Sequence, residues 1–250
     1  GVSKDINIED FDFENINDIF EETTWENALN ITIKKLKLIK ESNPESALAG
    51  FGCAKGSNEE AYLFQKLIRT GFATNNVDHC TRLCHASSVV ALLEMIGSGA
   101  VSNQVADVTE ADVIVVIGSN PTVNHPVAAT FIKNAAKDGK KLIVIDPKET
   151  QIARHADYFL QFKPDTDVAL LNAIMKSIID QGLVNDEFIT KRTKDFKELK
   201  KHLDDFTPEK MSKICGIDKN VIDEVAKIYA QSNASIIFWG MGVSQHIHGT

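Results

Sequence analysis

Unbroken apolar runs rich in β-branched residues constrain the fold of this chain most strongly. Val113-Ile114-Val115-Val116-Ile117 is one such run, and Leu142-Ile143-Val144-Ile145 and Ser235-Ile236-Ile237-Phe238-Trp239 are two others. A strand that is apolar at successive positions must be buried on both faces, as parallel strands covered by helices are. Segments with helical periodicity separate the runs. We therefore expect a parallel β-sheet with helices on both of its faces.

The predicted fold class is α/β. Residues 80–250 are expected to form a Rossmann-like, three-layer domain with a parallel sheet, and residues 23–79 a smaller, partial α/β domain that precedes it. Residues 1–22 alternate acidic with apolar side chains, and we interpret them as an acidic connector with apolar anchors.

The same patterns predict element boundaries and buried faces. Thr23 and Glu26 have the spacing of a capping box, and Asn43-Pro44 should end the helix that follows. Ser87 or Ser88 is expected to cap a helix at 89–96, which Gly97 and Gly99 end. Further strands are predicted at 46–51 and 156–162, and further helices at 58–69, 126–137, 168–179 and 221–230. The side chains expected to face inward on the first helices are Trp25, Ala28, Leu29, Leu36, Ile39, Tyr62, Leu63, Leu67, Ile68, Val127, Ala128, Phe131, Ile132 and Ala135.

Composition excludes several classes of function. The formal net charge is −8, whereas a nucleic-acid-binding protein needs a basic surface. There is no run of about 18 apolar residues, so we expect no membrane span. No apolar segment follows Gly1 to Lys4, which argues against a signal peptide and favours a reducing, cytoplasmic setting.

Cys84-His85 pairs a soft thiolate ligand with a proton acceptor, which is suited to a transition metal with proton transfer beside it. Other interpretations are a small buried cysteine, haem attachment or structural zinc. Haem attachment needs C-x-x-C-H, and Cys80 is one residue too far back. Zinc needs paired ligands, and Cys53 and Cys215 have no cysteine nearby. Four sparse cysteines also argue against a disulfide framework.

Small and polar residues follow each predicted strand of the larger domain. Ligands of open parallel sheets bind beyond the carboxyl ends of the strands, so these loops are candidate binding residues. A G-x-G-x-x-G turn after a strand and a P-loop are both absent, which argues against ordinary NAD binding and P-loop chemistry. The loop residues that carry this expectation are Gly118, Asn120, Asp146, Asp165, Asp167, Gly240 and Gly242.

Several ordered blocks resemble the formate dehydrogenase alpha subunits of the molybdopterin oxidoreductase family. The segment from Thr74 to Ser88 resembles their active-site loop, and nearly the whole chain from Trp25 onward is covered by the resemblance. The other matching blocks are Trp25-Glu26-Asn27-Ala28-Leu29, Lys55-Gly56-Ser57-Asn58-Glu59-Glu60, Gly118-Ser119-Asn120-Pro121, Asp146-Pro147-Lys148, the stretch from Phe162 to Ala173, and Trp239-Gly240-Met241-Gly242-Val243-Ser244-Gln245.

The resemblance implies a molybdopterin guanine dinucleotide cofactor that carries molybdenum or tungsten. Cys84 would be the metal ligand and His85 the proton acceptor in the oxidation of formate to carbon dioxide, or in the reverse reaction. Formate would lose either a hydride to a metal sulfido group or a proton to a base, and the sequence leaves both routes open. The cofactor-binding residues that it implies are Gly118, Ser119, Asn120, Asp146, Pro147, Lys148, Lys163, Asp165, Asp167, Gly240, Met241 and Gly242.

The chain also departs from the family pattern. Family members begin with a four-cysteine domain for a four-iron, four-sulfur cluster, and nothing here matches it. Ala86-Ser87 stands where the family often has Gly-Pro. We therefore expect a central part of a catalytic subunit, inactive alone. Its partners would be formate or carbon dioxide, the remainder of that subunit, and an iron–sulfur or flavin electron-transfer subunit. The alternatives are a nitrate reductase or formylmethanofuran dehydrogenase type of enzyme, and a non-catalytic α/β module with a nucleotide-like cleft.

Overall fold

The computed structural model describes residues 20–43, 48–101 and 103–250. The predicted connector at 1–22 therefore lies almost wholly outside the described residues. The chain divides into two compact units, one ending at Arg82 and the other running from Leu83 to Thr250. Among the described residues, no helix is both long and apolar enough to cross a membrane.

The first unit pairs two helices with a two-stranded parallel sheet. Its elements are α1 (Trp25–Ser42), β1 (Gly50–Gly52), α2 (Asn58–Lys66), a π-helical turn (Leu67–Gly71), β2 (Val77–His79) and a 3₁₀ turn (Cys80–Arg82). β1 and β2 run parallel, with Gly50 opposite Val77 and Gly52 opposite His79. This is the smaller α/β segment that the sequence predicts.

Three predictions for the first unit differ in detail from the structure. Thr24, not Thr23, caps α1, because its side chain accepts the Asn27 backbone N–H at 3.2 Å. The predicted inward stripes are largely exposed, since only Ile68 is buried among them. An amphipathic stripe is buried only where another surface covers it, and the described residues leave these uncovered. The side chains that were predicted to face inward but are exposed are Trp25, Leu29, Ile39, Tyr62, Leu63 and Leu67. The strand predicted at 46–51 begins at Gly50, and residues 44–47 of that region lie outside the described residues.

The second unit is a three-layer α/β domain. Its elements are α3 (Ala86–Ile96), β3 (Val113–Ile117), α4 (Pro121–Asn124), α5 (Pro126–Lys137), β4 (Lys141–Ile145), β5 (Tyr158–Leu160), α6 (Asp167–Asp180), α7 (Asp186–Arg192), α8 (Phe196–His202), α9 (Pro208–Cys215), α10 (Lys219–Gln231), β6 (Ser235–Trp239) and α11 (Met241–Ser244), with 3₁₀ turns at Val105–Thr109, Gln151–His155 and Leu203–Asp205. The four strands are all parallel, in the order β5-β4-β3-β6. This arrangement confirms the predicted α/β class and parallel sheet.

The apolar runs of β3 and β4 divide between two cores. Val113, Val115 and Ile117 face one core, which the buried sides of α6, α9 and α10 complete. Ile114 and Val116 face the other core, which includes residues of α5. Because successive side chains of a strand point to opposite faces, a continuous apolar run fills both layers.

Three details of the second unit differ from prediction. β6 is only partly covered, with Ile237 43% exposed, because it lies at the edge of the described sheet. β5 is limited to Tyr158–Leu160, the stretch that pairs with β4. On α5, Val127 and Phe131 are exposed while Ala129 is buried. The face of the helix that contacts the core therefore includes Ala129 in place of these two residues.

Candidate functional site

The candidate site lies where the chain reverses its direction across the sheet. From β3 the chain moves outward through β4 to β5, and then returns to place β6 on the other side of β3. In open α/β sheets, this switch point opens a crevice at the carboxyl ends of the strands, where ligands bind. The loops at Gly118 and Gly240 therefore occupy the position that the fold favours for a ligand.

Three glycines let the β3 and β6 loops pack backbone against backbone. The Gly242 N–H donates to the Gly118 carbonyl at 3.0 Å, and the Gly240 N–H donates to the Ile117 carbonyl at 3.2 Å. A Cβ on Gly242 would lie 2.7 Å from the Gly118 Cα, and one on Gly240 would lie 2.7 Å from the Gly118 carbonyl oxygen. Gly118 also has φ +57°, a conformation that favours glycine. Sequence reasoning assigned these glycines to ligand approach, but the contact between the two loops is by itself sufficient reason for them.

Cys84 and His85 lie at the amino end of α3. His85 occupies the N-cap position, and no side chain caps the helix, so the predicted cap at Ser87 or Ser88 is wrong. The reason is that α3 begins at Ala86, which places both serines inside its first turn. The positive end of a helix dipole stabilises a nearby thiolate. Cys84 is half-buried, and its Sγ lies 3.4 Å from the Met241 Sδ at the start of α11.

A chain of polar side chains adjoins His85. The Trp239 Nε1–H donates to the Ser88 Oγ at 3.0 Å, and the Ser88 and Ser244 hydroxyl oxygens lie 2.6 Å apart. The Ser244 Oγ lies 3.4 Å from the His85 Nδ1. Sequence reasoning missed the roles of Ser88 and Ser244, because nothing local indicates that residues 156 positions apart share a hydrogen bond.

Asp146 is buried at the end of β4. The Lys148 backbone N–H donates to its Oδ1 at 2.8 Å, and its own N–H donates to the Leu160 carbonyl at 3.2 Å. Burial raises the pKa of Asp146 above its ordinary value, against the opposing effect of the Lys148 hydrogen bond. The carboxyl group thus caps its own turn and retains further capacity to accept hydrogen bonds. On the same loop, the buried Thr150 hydroxyl has no hydrogen-bond partner within the described part of the chain.

The loop after β5 is tied to the segment after α11 by a histidine. The His246 Nδ1 lies 2.9 Å from the Asp165 Oδ1, and its Nε2 lies 3.2 Å from the Asp167 Oδ2. Hydrogen bonding to Asp165 raises the pKa of His246. Burial raises the pKa of Asp167, and the nearby His246 opposes that rise. Sequence reasoning named both aspartates but not His246, which brings them together.

The His246 contacts predict a pH dependence of stability. A histidine whose pKa is raised by folding stabilises the protein fully below its ordinary pKa of 6.5. That contribution is lost as the pH rises through the raised value. We expect a loss of a few tenths to about 1 kcal/mol above pH 6.5, because Asp165 is exposed and the pair is partly screened. Urea unfolding of the wild type and of His246→Gln across this range measures the loss.

In that experiment, His246→Gln should lack the decline in stability while His155→Gln, at an exposed histidine of the 3₁₀ turn Gln151–His155, should retain it. Equal slopes in the wild type and His246→Gln would contradict the assignment.

The remaining predicted residues have mainly local contacts. The Asn120 Oδ1 accepts the Thr122 hydroxyl at 2.6 Å, and the side chain of Ser119 lies close against Gly240. The exposed Gln161 side chain donates to the Pro147 carbonyl at 3.1 Å. The Lys163 Nζ lies 3.4 Å from the Lys213 carbonyl oxygen of α9. Lys148 contributes its backbone N–H to Asp146.

The described residues contain no group of three or more His, Cys, Asp or Glu side chains placed to hold a metal ion. A metal at Cys84 would therefore need further ligands from outside that set. A pterin cofactor that brings its own sulfur ligands fits this requirement. The buried carboxyl of Asp146 fits a polar nucleotide group at the β4 loop, and so does the Thr150 hydroxyl, which finds no partner among the described residues. The donor set is thus compatible with the cofactor that the sequence implies.

Comparison with known proteins assigns the family. The family model described as molybdopterin oxidoreductase matches residues 14–250. The chain belongs to the molybdopterin oxidoreductase family.

Similar curated proteins are formate dehydrogenase subunits. The F420-dependent formate dehydrogenase subunit alpha of Methanocaldococcus jannaschii is 43% identical over 92% of this chain and 33% of its own length. Formate dehydrogenase H of Escherichia coli is 38% identical over 92% of this chain and 32% of its own length. This chain therefore spans about a third of the length of these relatives.

A solved structure shares the fold. Acetylene hydratase from Pelobacter acetylenicus matches with a TM-score of 0.76 and 25% identity, over 90% of this chain and 30% of that one. Its name denotes a reaction other than formate oxidation, so the fold alone does not decide the substrate.

Proposed function

We propose that this chain forms part of the catalytic subunit of a molybdopterin-dependent formate dehydrogenase. The observation that carries the proposal is the placement of Cys84 and His85, which lie side by side at the amino end of α3 and next to residues of the β6 loop. The similarity to two formate dehydrogenases across 92% of the chain supports formate as the substrate. The nitrate reductase and formylmethanofuran dehydrogenase alternatives gain no specific support from the contacts of this site.

In the proposed reaction, formate loses two electrons and one proton and becomes carbon dioxide. A bound molybdenum or tungsten centre supplies the site that takes up the two electrons. With the metal bound, Cys84 would supply a soft thiolate ligand to it, and His85 would receive the proton. The loops after β3, β4, β5 and β6 would hold the pterin guanine dinucleotide, and Asp146 would accept hydrogen bonds from its nucleotide end.

Because the relatives are longer than this chain, the proposal also covers parts of the catalytic subunit outside it. The electrons would leave through an iron–sulfur cluster held elsewhere in the whole subunit, and then through an iron–sulfur or flavin partner subunit.

Elemental analysis of the full-length protein tests the assignment directly. Molybdenum or tungsten together with an oxidised-pterin fluorescence signal is expected. The absence of both would favour a non-catalytic binding module instead.

His85→Ala should lower formate turnover by about 10²-fold or more, the usual loss when a positioned general base is removed. The acidic limb of the pH–rate profile should change as well. Steady-state assays of the full-length enzyme across pH measure both effects. His202→Ala, at an exposed histidine in α8, is the matched control and should behave like the wild type. An unchanged rate and profile in His85→Ala would assign the proton to another group.

Asp146→Asn should weaken retention of the cofactor while the fold persists. Asparagine keeps an oxygen that can accept the Lys148 N–H, so the turn remains capped, but it removes the charge that a nucleotide donor would meet. Loss of a charge-assisted hydrogen bond costs roughly 1.5–3 kcal/mol, or about 10- to 100-fold in affinity. Pterin and metal per polypeptide after purification measure the effect.

The matched control for Asp146→Asn is Asp138→Asn, at the exposed end of α5. That variant should retain full occupancy. Full occupancy in Asp146→Asn as well would place the nucleotide end of the cofactor away from the β4 loop.

A further inference from the structure

β6 has the sequence of an interior strand but lies at the edge of the described sheet. Ser235–Trp239 contains no charged residue and no proline, which are the residues that commonly protect an exposed edge strand. Four of its five residues are apolar, a pattern typical of parallel strands that are covered on both faces. Ile237 is nevertheless 43% exposed, whereas Val115, its partner on β3, is 7% exposed. The edge at β6 is therefore less covered than its sequence predicts.

The backbone of β6 presents hydrogen-bonding groups along this edge. The Gly240 N–H donates to the Ile117 carbonyl at 3.2 Å, so Gly240 faces β3. Alternate residues of a strand direct their backbone groups to the same side, so residues an odd number of positions from Gly240 face away from β3. Among the described strands, β6 pairs with β3 alone. The residues of β6 whose N–H and C=O groups point away from β3 are Ser235, Ile237 and Trp239.

A cavity of about 580 Å³ lies along the same edge. All five residues of β6 line it, together with Val89 and Leu92 of α3 and the segment around Val101 and Val105. The lining is mainly apolar, and backbone donors and acceptors lie along one side of it. An extended segment fits both features, because its backbone pairs with the edge while its alternate side chains fill apolar space. His85 also lines the cavity, which therefore extends to the candidate site.

We propose that a further β-strand pairs with β6, and that the part of the catalytic subunit outside residues 1–250 supplies it. The inference rests on the proposed function, which makes this chain one part of a longer polypeptide. The relatives support this source of the strand, because the chain spans only about a third of their length. A strand in the same polypeptide has a high effective concentration at the edge, which favours it over a second copy of the chain.

The added strand connects the edge of the sheet with the candidate site. It pairs with the outward backbone groups of β6 and covers Ile237, as neighbouring strands cover one another in the interior of a sheet. Because His85 and Trp239 both line the cavity, one end of the strand lies beside them. Residues that adjoin this end thus help to enclose the crevice in which formate is proposed to react.

Hydrogen exchange of the full-length subunit, purified without other subunits and read at single residues by mass spectrometry, tests the proposal. The Ile236 and Phe238 N–H groups lie an even number of positions from Gly240 and face β3, so they provide the internal reference. The Ile237 and Trp239 N–H groups should exchange within about tenfold of that reference. Exchange about 10³-fold faster than the reference would mean that the edge is open, and would overturn the proposal. Protection that disappears on dilution to the monomer would assign the strand to a second copy, which would overturn it as well.

Proline substitutions in the full-length subunit provide a second test. Proline lacks an N–H group, so a strand tolerates it only where no neighbouring strand needs that group. Ile237→Pro should lower the melting temperature about as much as Ile236→Pro, which removes a hydrogen bond to β3. Ile237→Ala is the matched control, because it removes the side chain and keeps the N–H group, and its effect should be much smaller. Equal effects of Ile237→Pro and Ile237→Ala would contradict the added strand.

The exchange measurement on the wild type remains decisive if a proline variant does not fold. Neither experiment uses metal, pterin or formate as its readout. A failure of the strand proposal is therefore distinguishable from a failure of the proposed function, which the metal and pterin analysis tests separately.

Discussion

Replacement of Cys84 by serine in the full-length enzyme should nearly abolish formate oxidation while the fold persists. A hard hydroxyl is a poor substitute for a soft thiolate at molybdenum or tungsten. The substitution is nearly isosteric, and it alters the contact of the Cys84 Sγ with the Met241 Sδ at 3.4 Å. Formate oxidation, metal content and melting temperature should be measured on the same preparation. Lost activity with the other two properties near wild type is the expected result.

Cys80→Ser provides the matched control for this experiment, since Cys80 is an exposed cysteine only four positions earlier. It should keep wild-type activity. Normal turnover in Cys84→Ser would remove Cys84 from the mechanism, and equal losses in both variants would indicate a general sensitivity of the segment.

Gly118→Ala should destabilise the second unit by considerably more than Gly139→Ala. Both glycines have positive φ, +57° and +91°, so each alanine bears a conformational cost of about 1–2 kcal/mol. A Cβ at Gly139 meets nothing within 4 Å. A Cβ at Gly118 would lie 2.9 Å from the Val243 backbone nitrogen and 3.0 Å from the Gly242 Cα. Because both neighbours are backbone atoms, the overlap should add about 1–3 kcal/mol.

Urea unfolding of the two alanine variants measures the difference, and Gly139→Ala serves as the control for backbone strain alone. Equal destabilisation in the two variants would mean that the β3 and β6 loops separate at little cost.

The loop contact at Gly118 also affects tests of cofactor binding. Any substitution at Gly118 disturbs the loop contact, so lost cofactor in such a variant would not by itself place a ligand there.

Local sequence signals predicted the elements of the second unit well. Val113–Ile117 and Ser235–Trp239 coincide with predicted strands, and Pro126–Lys137 coincides with a predicted helix. These signals are local, because the period of apolar residues reports the backbone conformation directly. Buried faces were less predictable. The stripe on α1 has the helical period, yet Trp25 is 84% exposed, because burial depends on whether another surface covers the helix.

The candidate site also has one part that the sequence indicated and another that it did not. The residue types and order around Cys84, Gly118, Asp146 and Gly240 indicated the family from the sequence, and the family match over residues 14–250 confirms that assignment. The sequence did not indicate His246 as the partner of Asp165 and Asp167, or Ser244 as the partner of His85.

Sequence alone indicated the four strands of the second unit, most of the helices and the chemistry available in the loops, since each depends on neighbouring residues. Only the tertiary structure decided which loops meet. The return of the chain to place β6 beside β3 brings Met241 within 3.4 Å of Cys84, although 157 positions separate them. The same return of the chain brings the glycines of the β3 and β6 loops into contact. The physical reason is that the order of the strands depends on burying the whole sheet between its helices. The free energy of that burial comes from the whole domain, so no single segment determines it.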